Sequence, residues 1–506
     1  MKKLFLLLFF PLFYLTAQTT SEIPKKRIID WSEAGVLGKI PLHSKSDFIN
    51  INDFLGNDTT FDNALVKAIK TGEEEELKII YFPAGNYPFN KPIKLKSNTV
   101  ILGAGANKSH LIISLNGKRG NCISFNGKVI KTLNYDNKLK KGTKKIVLDM
   151  NIKNFKNAVI AEIYQGKNVY GKSSSGKEKQ YQKGQVIKIS EIDNNTLILQ
   201  DSLRLDYPVK DKWGEPIKIK LIIPVTNSGI ENISVKRKDR PPKNGSNIIS
   251  FNYAYNCWLN GIASRMGANN HVSVNNSRNI EIRGSFFSST FNTGGGGNGY
   301  GIVVGSNSTD CLFEDNIFEK LRHAMIIASS ANGNVFGYNA SFNKPLLNID
   351  EASISVHGHY PYMNLFESNY VEYINVDYVW GANGEYNTFL RNYVYDKGLF
   401  GLFRNQELQI ERGTDKTNII GNLANVKARG KDNFILKNMP ISQLTDAMFL
   451  ETYSFYYNKK PDFIPASVSW PCFGLKTSKT GEEISNSIPA VLRYFTDNKT
   501  VTVKFN

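Results

Sequence analysis

One short pattern recurs along the second half of this chain and restricts its fold more than any other feature: a phenylalanine followed three residues later by an asparagine. It occurs at Phe313 and Asn316, Phe336 and Asn339, Phe366 and Asn369, and Phe389 and Asn392, so the phenylalanines are spaced by 23, 30 and 23 residues. A weaker copy follows at Ile419 and Asn422, and Trp258 and Ile282 stand in comparable settings upstream. The segments between are short runs of β-branched and aromatic residues broken by Gly, Asn and Ser, with no 3.6-residue periodicity of similar strength. Repeats of this length and texture suit the coils of a solenoid. Strands of successive coils stack at roughly 4.8 Å. The recurring Phe then predicts an internal aromatic column, and the recurring Asn a hydrogen-bonded ladder at a bend. The reading is a right-handed parallel β-helix, an all-β fold.

Composition adds partners and compartment. With 41% hydrophobic and 12% aromatic residues the chain is too apolar to be a disordered tether. Its 63 Lys and Arg against 45 Asp and Glu leave a net charge of +18, which favours a polyanionic partner. The start, Met1-Lys2-Lys3, then an apolar run from Leu4 to Leu15 and a small-residue exit at Thr16-Ala17, has the order of a secretory signal peptide over residues 1–17. No later stretch is apolar for long enough to span a bilayer. The expectation is a secreted or periplasmic, soluble monomer without a membrane anchor. Export argues against nucleic acid and leaves acidic polysaccharide as the partner. The four cysteines (122, 257, 311, 472) are widely spaced and read as buried small hydrophobes.

The N-terminal part resembles a known family. Asp53-Phe-Leu-Gly-Asn-Asp-Thr59, a helical stretch over 61–71, Ile79-Ile-Tyr-Phe-Pro-Ala-Gly-Asn-Tyr87 and Leu95 to Gly105 are similar to the opening of the pectate-lyase-like β-helix superfamily. Tyr453–Tyr457 and Ser469–Gly474 are similar to closing segments of secreted β-helix polysaccharide enzymes. The resemblance implies a capping helix at the first coils and a carbohydrate-directed function, but the superfamily hosts lyases, hydrolases, epimerases, esterases and adhesins. Alternating strands between residues 140 and 222 read as a β-rich insertion with a lysine-rich loop. The expected layout is a signal peptide (1–17), cap and first coils (18–139), insertion (140–222), main coils carrying the site (223–430) and a closing segment (431–506).

Aligning coils on the repeated Phe brings the preceding strands into register, and period-two alternation divides them. Val303, Ile326, Val356 and Val379 are expected to face the core. Tyr300, His323, Met325, Ser353, Ser355, His357, Tyr378 and Trp380 are expected to face outward, with His359 continuing the line. Three of the chain's six histidines thus share one patch beside aromatic rings suited to stacking on sugars. Two chemistries compete for it. In a polysaccharide lyase, Arg322 neutralises a uronate carboxylate, His323, His357 or His359 removes the C5 proton, and Tyr360 protonates the leaving oxygen, while Tyr300, Tyr378, Trp380 and Arg404 bind sugar. In a glycoside hydrolase, the paired carboxylates are drawn from Asp350, Glu351 and Asp377, of which Asp377 falls on the inward set. The patch is richer in His, Tyr and Arg than in carboxylates, and it lacks the paired-Asp signature of polygalacturonases, so elimination is favoured. A non-catalytic glycan binder is the third reading. No metal-ligand rhythm is present and no cofactor is implied; a calcium requirement stays open, since no Asp/Glu spacing matches a calcium loop.

Overall fold

The computed structural model describes residues 23–502 apart from 58, 74, 170–178, 346–350, 396–405, 446–448, 478–483 and 498. The signal-like start, Asp350 and Arg404 lie outside the described residues. The chain winds as a right-handed parallel β-helix in which successive coils add one strand to each of three parallel sheets. Among the described residues these sheets hold 13, 9 and 10 strands. Phe313, Phe336, Phe366 and Phe389 are register partners on adjacent strands of the first sheet and continue into Ile419. Their rings stack at 4.7, 4.9 and 4.8 Å, fully inside the coil. Upstream the column passes through Leu259 and Ile282. Trp258, expected in that column, points the other way and donates its indole N–H to Glu231 at 2.7 Å.

The asparagines explain the sharp corner that follows each Phe strand. Asp315, Tyr338, Ser368, Arg391 and Lys437 all have left-handed φ near +50° to +56° and each stands immediately before a ladder Asn. That conformation costs a non-glycine residue about 1–2 kcal/mol. The following Asn offsets the cost: each Nδ2 donates to the Oδ1 of the next coil's Asn, from Asn316 through Asn339, Asn369, Asn392 and Asn422 to Asn438, at 2.8–3.0 Å. The same Nδ2 also reaches a strand carbonyl, as from Asn369 to Phe336 at 2.8 Å. Asn369→Ala leaves buried partners unmet on both sides, and urea melts are expected to show a loss of about 1–3 kcal/mol.

Two of the three outer faces are covered. Trp31, Ala34, Leu450 and Leu475 pack on Leu312, Val335, Leu365 and Leu390 of the first sheet. Ile464, Phe473, Ile488 and Ala490 pack on Phe286, Ile317 and Ala340 of the second. Helix α1 (Phe61–Ile69) puts Ala64, Leu65 and Ala68 against the core of the first coils, and Thr60 accepts at its N-terminus. No comparable apolar layer lies on the third sheet among the described residues. Beside it stands a six-stranded antiparallel sheet with its own core. This insertion begins at Lys128 rather than near residue 140, because the Lys128–Tyr135 strand leaves the coil at once to pair with Ile217–Ile223. It is clamped to the corner after the third sheet: Arg204 pairs with Asp310, and the Gly184 N–H donates to Ser330 at 2.8 Å. All four cysteines are buried and unpaired. No described helix is long and apolar enough to cross a membrane.

The closing segment is tied to buried carboxylates. Ser454 and the Phe455 N–H both donate to Glu367, and the Tyr457 hydroxyl donates to Glu314. Burial pushes Glu314 up to about 8 against the pull of Arg283, and Glu367 up to about 7 against the Ser454 hydrogen bond. Groups raised above their unfolded value near 4.5 bind more protons in the folded state, so stability falls as pH rises through the folded pKa. Between about pH 4.5 and 8 these two groups are expected to lower the melting temperature steadily, and a Glu314→Gln/Glu367→Gln variant to flatten that decline in a calorimetric pH series.

Candidate functional site

Five neighbouring strands of the third sheet build the site: β1 (Tyr300–Gly305), β2 (His323–Ile327), β3 (Ile354–His357), β4 (Ile374–Asp377) and β5 (Glu407–Ile410). Two register rows face inward, Ile302–Met325–Ile354–Ile374–Leu408 and Val304–Ile327–Val356–Val376–Ile410, and all ten side chains belong to the core. The outward row between them runs Val303, Ile326, Ser355, Asn375 and Gln409. This corrects the expected division. Val303 and Ile326 face outward, Met325 faces inward, and Val379 is 38% exposed beyond the strand. The error comes from the corner: Ala324 and Met325 are adjacent yet both in the core, so alternation restarts inside β2. Ser353 is fully buried and donates to Glu372 at 2.6 Å rather than opening to solvent.

At the far end of the strands His357 and Asp377 are direct register partners, both on the outer side. Asp377, expected to point inward, follows the inward Val376 and therefore points out. His357 Nδ1 lies 2.5 Å from Asp377 Oδ2, and the other carboxylate oxygen accepts the Val379 N–H at 3.0 Å. Asp377 is nearly sealed while His357 is one-fifth exposed. The carboxylate therefore fixes the tautomer and orientation of the imidazole, and leaves Nε2 as the ring nitrogen that meets whatever enters the site. Trp380 holds the ring from one side, with centroids 4.2 Å apart. One position beyond the Val376–Ile410 pair, just past the end of β5, Glu411 follows in register with Asp377 and accepts the Tyr378 N–H at 3.2 Å. Glu411 was missed in the sequence because the coil register was not carried past β4.

At the near end, Glu351 gathers the other candidates. Arg322 Nη2 donates to Glu351 Oε1 at 2.7 Å, and His323 Nε2 faces Oε2 at 3.3 Å. Arg322 also contacts the Tyr300 hydroxyl at 3.3 Å and the Gly295 carbonyl at 2.5 Å, which ties down the glycine run Gly294–Gly297. The Tyr300 ring packs on His323 at 4.9 Å. Burial favours the neutral form of His323 and lowers it to about 4, against the opposing hydrogen bond to the Ala352 carbonyl. Burial acts upward on Glu351, but the hydrogen bond from Arg322 and the charge of that guanidinium oppose it, and the carboxyl is held below its usual range. Arg322, His323 and Glu351 at one end and His357 and Asp377 at the other make up the candidate cluster.

His359 and Tyr360 do not join it. Both adopt left-handed φ at the corner, at +54° and +65°. His359 is fully buried, donates to the Val169 carbonyl of the insertion at 3.1 Å and is pushed down to about 4 by that burial. The Tyr360 ring stacks on Tyr181 at 4.9 Å with Lys183 over its face at 4.4 Å. They anchor the insertion to the coil rather than presenting a base and an acid. The Tyr378 ring lies against Gly413, where a Cβ would come within 2.4 Å of it. Among the described residues no group of three or more His, Cys, Asp or Glu side chains is arranged to hold a metal ion.

Coils that add one strand to each of three parallel sheets define a parallel β-helix protein. The profile of the family described as Rhamnogalacturonase A/epimerase, pectate lyase-like, matches residues 48–201. This match and the fold both point to the pectate-lyase-like β-helix superfamily. The tailspike protein gp49 from Pseudomonas phage LKA1 is similar at 14% identity and a TM-score of 0.51, over 81% of this chain and 78% of that one. The Pseudomonas phage phi297 tailspike gp61 is similar at 10% identity and a TM-score of 0.54, over 78% and 70%. These two likenesses concern the fold. No curated protein matches the sequence.

Proposed function

We propose that the chain is an exported enzyme that cleaves an acidic polysaccharide by β-elimination, with His357 as its base. The observation that carries this reading is the His357–Asp377 pair, a one-fifth exposed imidazole whose Nδ1 is held by a nearly sealed carboxylate. The family description, with its rhamnogalacturonase and epimerase, and the net charge of +18 support a sugar-directed site for an anionic chain. His357 Nε2 takes the C5 proton of a uronate. The electrons left behind form the C4–C5 double bond, and the C4–O4 bond breaks. In a syn elimination the imidazolium formed on His357 returns that proton to the departing oxygen. Arg322 withdraws electrons from the uronate carboxylate, sharing its guanidinium between that group and Glu351. Trp380, half-buried, offers a ring to the sugar, whereas Tyr300 is buried against His323 and serves to hold Arg322.

One observation favours a second reading. Two carboxylates belong to the candidate cluster, Glu351 against Arg322 and His323 and Asp377 against His357, and hydrolysis needs a pair of carboxylates. Against it, Asp377 is already engaged by His357 and the Val379 amide. Incubation with a panel of acidic polysaccharides separates the readings. Ultraviolet absorbance from unsaturated uronate ends supports elimination. New reducing ends without absorbance support hydrolysis, and retention on a polysaccharide gel without products supports a binder.

A further inference from the structure

At the opposite end of the same sheet lies a cavity of about 620 Å³ that the cluster at His357 does not use. It opens where the first coils meet the end of α1 and the root of the insertion. Lys70, Lys78, Lys94, Lys96 and Lys128 line it, together with Ser124 and Asn126, and no carboxylate is among its described lining residues. Lys78 is buried, its ammonium donating to the Ile69 carbonyl at 3.1 Å. The other four are exposed, and among the described residues none of them forms an ion pair. Glu73, Glu75 and Glu76 occupy the turn just after α1 but are solvent-exposed and do not line the cavity. Several like charges around a concave wall focus positive potential into it.

The cavity is continuous in register with the site. Lys94 pairs along the sheet with Ser124, Ser250, Ser273, Val303 and Ile326, the last two being outward residues of β1 and β2. The intervening serines form a low polar floor, with Ser273 donating to Ser250 at 3.2 Å. Five strand steps of roughly 4.8 Å put Lys94 about 24 Å from the strand of His323, and a sixth puts it about 29 Å from that of His357. An extended sugar chain lying along this floor would cross one strand every few ångströms and reach both ends.

We propose that this lysine-lined cavity is a second, non-catalytic binding site for an anionic polysaccharide, holding carboxylate or sulfate groups several sugar units away from the reacting bond. The inference rests on the acidic-polysaccharide reading for its ligand class, but not on any chemistry at His357. The test compares wild type, Lys94→Glu/Lys96→Glu/Lys128→Glu and His357→Ala by calorimetric titration with long polygalacturonate, with a sulfated galactan and with neutral dextran. Turnover of a uronate oligosaccharide too short to span both sites is measured in parallel. The three lysines are exposed, so the fold should persist; Lys→Gln versions serve if it does not. In the lysine variant, affinity for at least one long polyanion is expected to fall about tenfold or more at low salt, and the difference to shrink as salt rises. Short-substrate turnover should stay unchanged, and His357→Ala should keep long-chain affinity. Preference for the galactan over polygalacturonate, or the reverse, identifies sulfate or carboxylate as the group held. Unchanged long-chain affinity in the lysine variant, or no polyanion binding by wild type, overturns the inference. If the lysine variant loses binding while His357→Ala keeps full turnover, this inference stands and the catalytic reading falls.

Discussion

His357→Ala is expected to lower turnover of the acidic polysaccharide by about two to four orders of magnitude, the usual share of a positioned proton-transfer group. The fold should persist, because the ring lies at the rim of the outer face, one-fifth exposed, and contributes nothing to the stacked core. Asp377→Asn is the informative companion. It keeps the shape of the contact at Nδ1 but removes the charge that orients and stabilises the protonated imidazole, so turnover should drop while substrate affinity changes little. Steady-state kinetics with a folded-state check by circular dichroism reads both. Full activity in His357→Ala would move the base elsewhere. A collapse confined to Glu351→Gln and Asp377→Asn would favour the paired-carboxylate mechanism.

The largest expected loss of stability is at the aromatic column. Phe366 is 1% exposed and stacks on Phe336 at 4.9 Å and on Phe389 at 4.8 Å, so truncation removes ring contacts on both sides at once. Phe366→Ala is expected to cost about 3–5 kcal/mol in a urea titration, the range for a buried Phe replaced by Ala. Phe336→Ala should match it, since that ring has equivalent neighbours at 4.7 and 4.9 Å. Losses well below 1 kcal/mol in both variants would contradict the coil register that aligns the site strands.

The parts of this molecule that repeat were legible from sequence, and the parts made by single long-range contacts were not. Phe313, Phe336, Phe366 and Phe389 announce the coil because each meets only its own copy in the next turn, so spacing alone determines the contact. The Asn316-to-Asn438 ladder follows the same logic. Arg322, His323 and His357 were legible as outer-face candidates, and with them the likeness to carbohydrate-directed β-helices. What failed was parity at corners. Period-two counting assumes an unbroken strand, whereas Ala324 and Met325 both turn into the core and His359 and Tyr360 take left-handed conformations. Nor could local pattern reveal that His359 and Tyr360 are claimed by Val169 and Tyr181, residues almost two hundred positions upstream on the insertion. Glu411 was findable in principle: carrying the Glu407–Ile410 segment into register sets it beside Asp377.

The most direct test of the central claim is the mass of the cleavage products formed in water enriched with the heavy oxygen isotope. Proton abstraction by His357 followed by loss of O4 breaks the chain without adding water. The new non-reducing ends should therefore be unsaturated, lighter by one water than a hydrolytic product and free of isotope label at the cleaved bond. The same products should be absent with His357→Ala. Saturated products carrying the label at the newly formed end would show that water attacked the glycosidic bond, and would contradict the account.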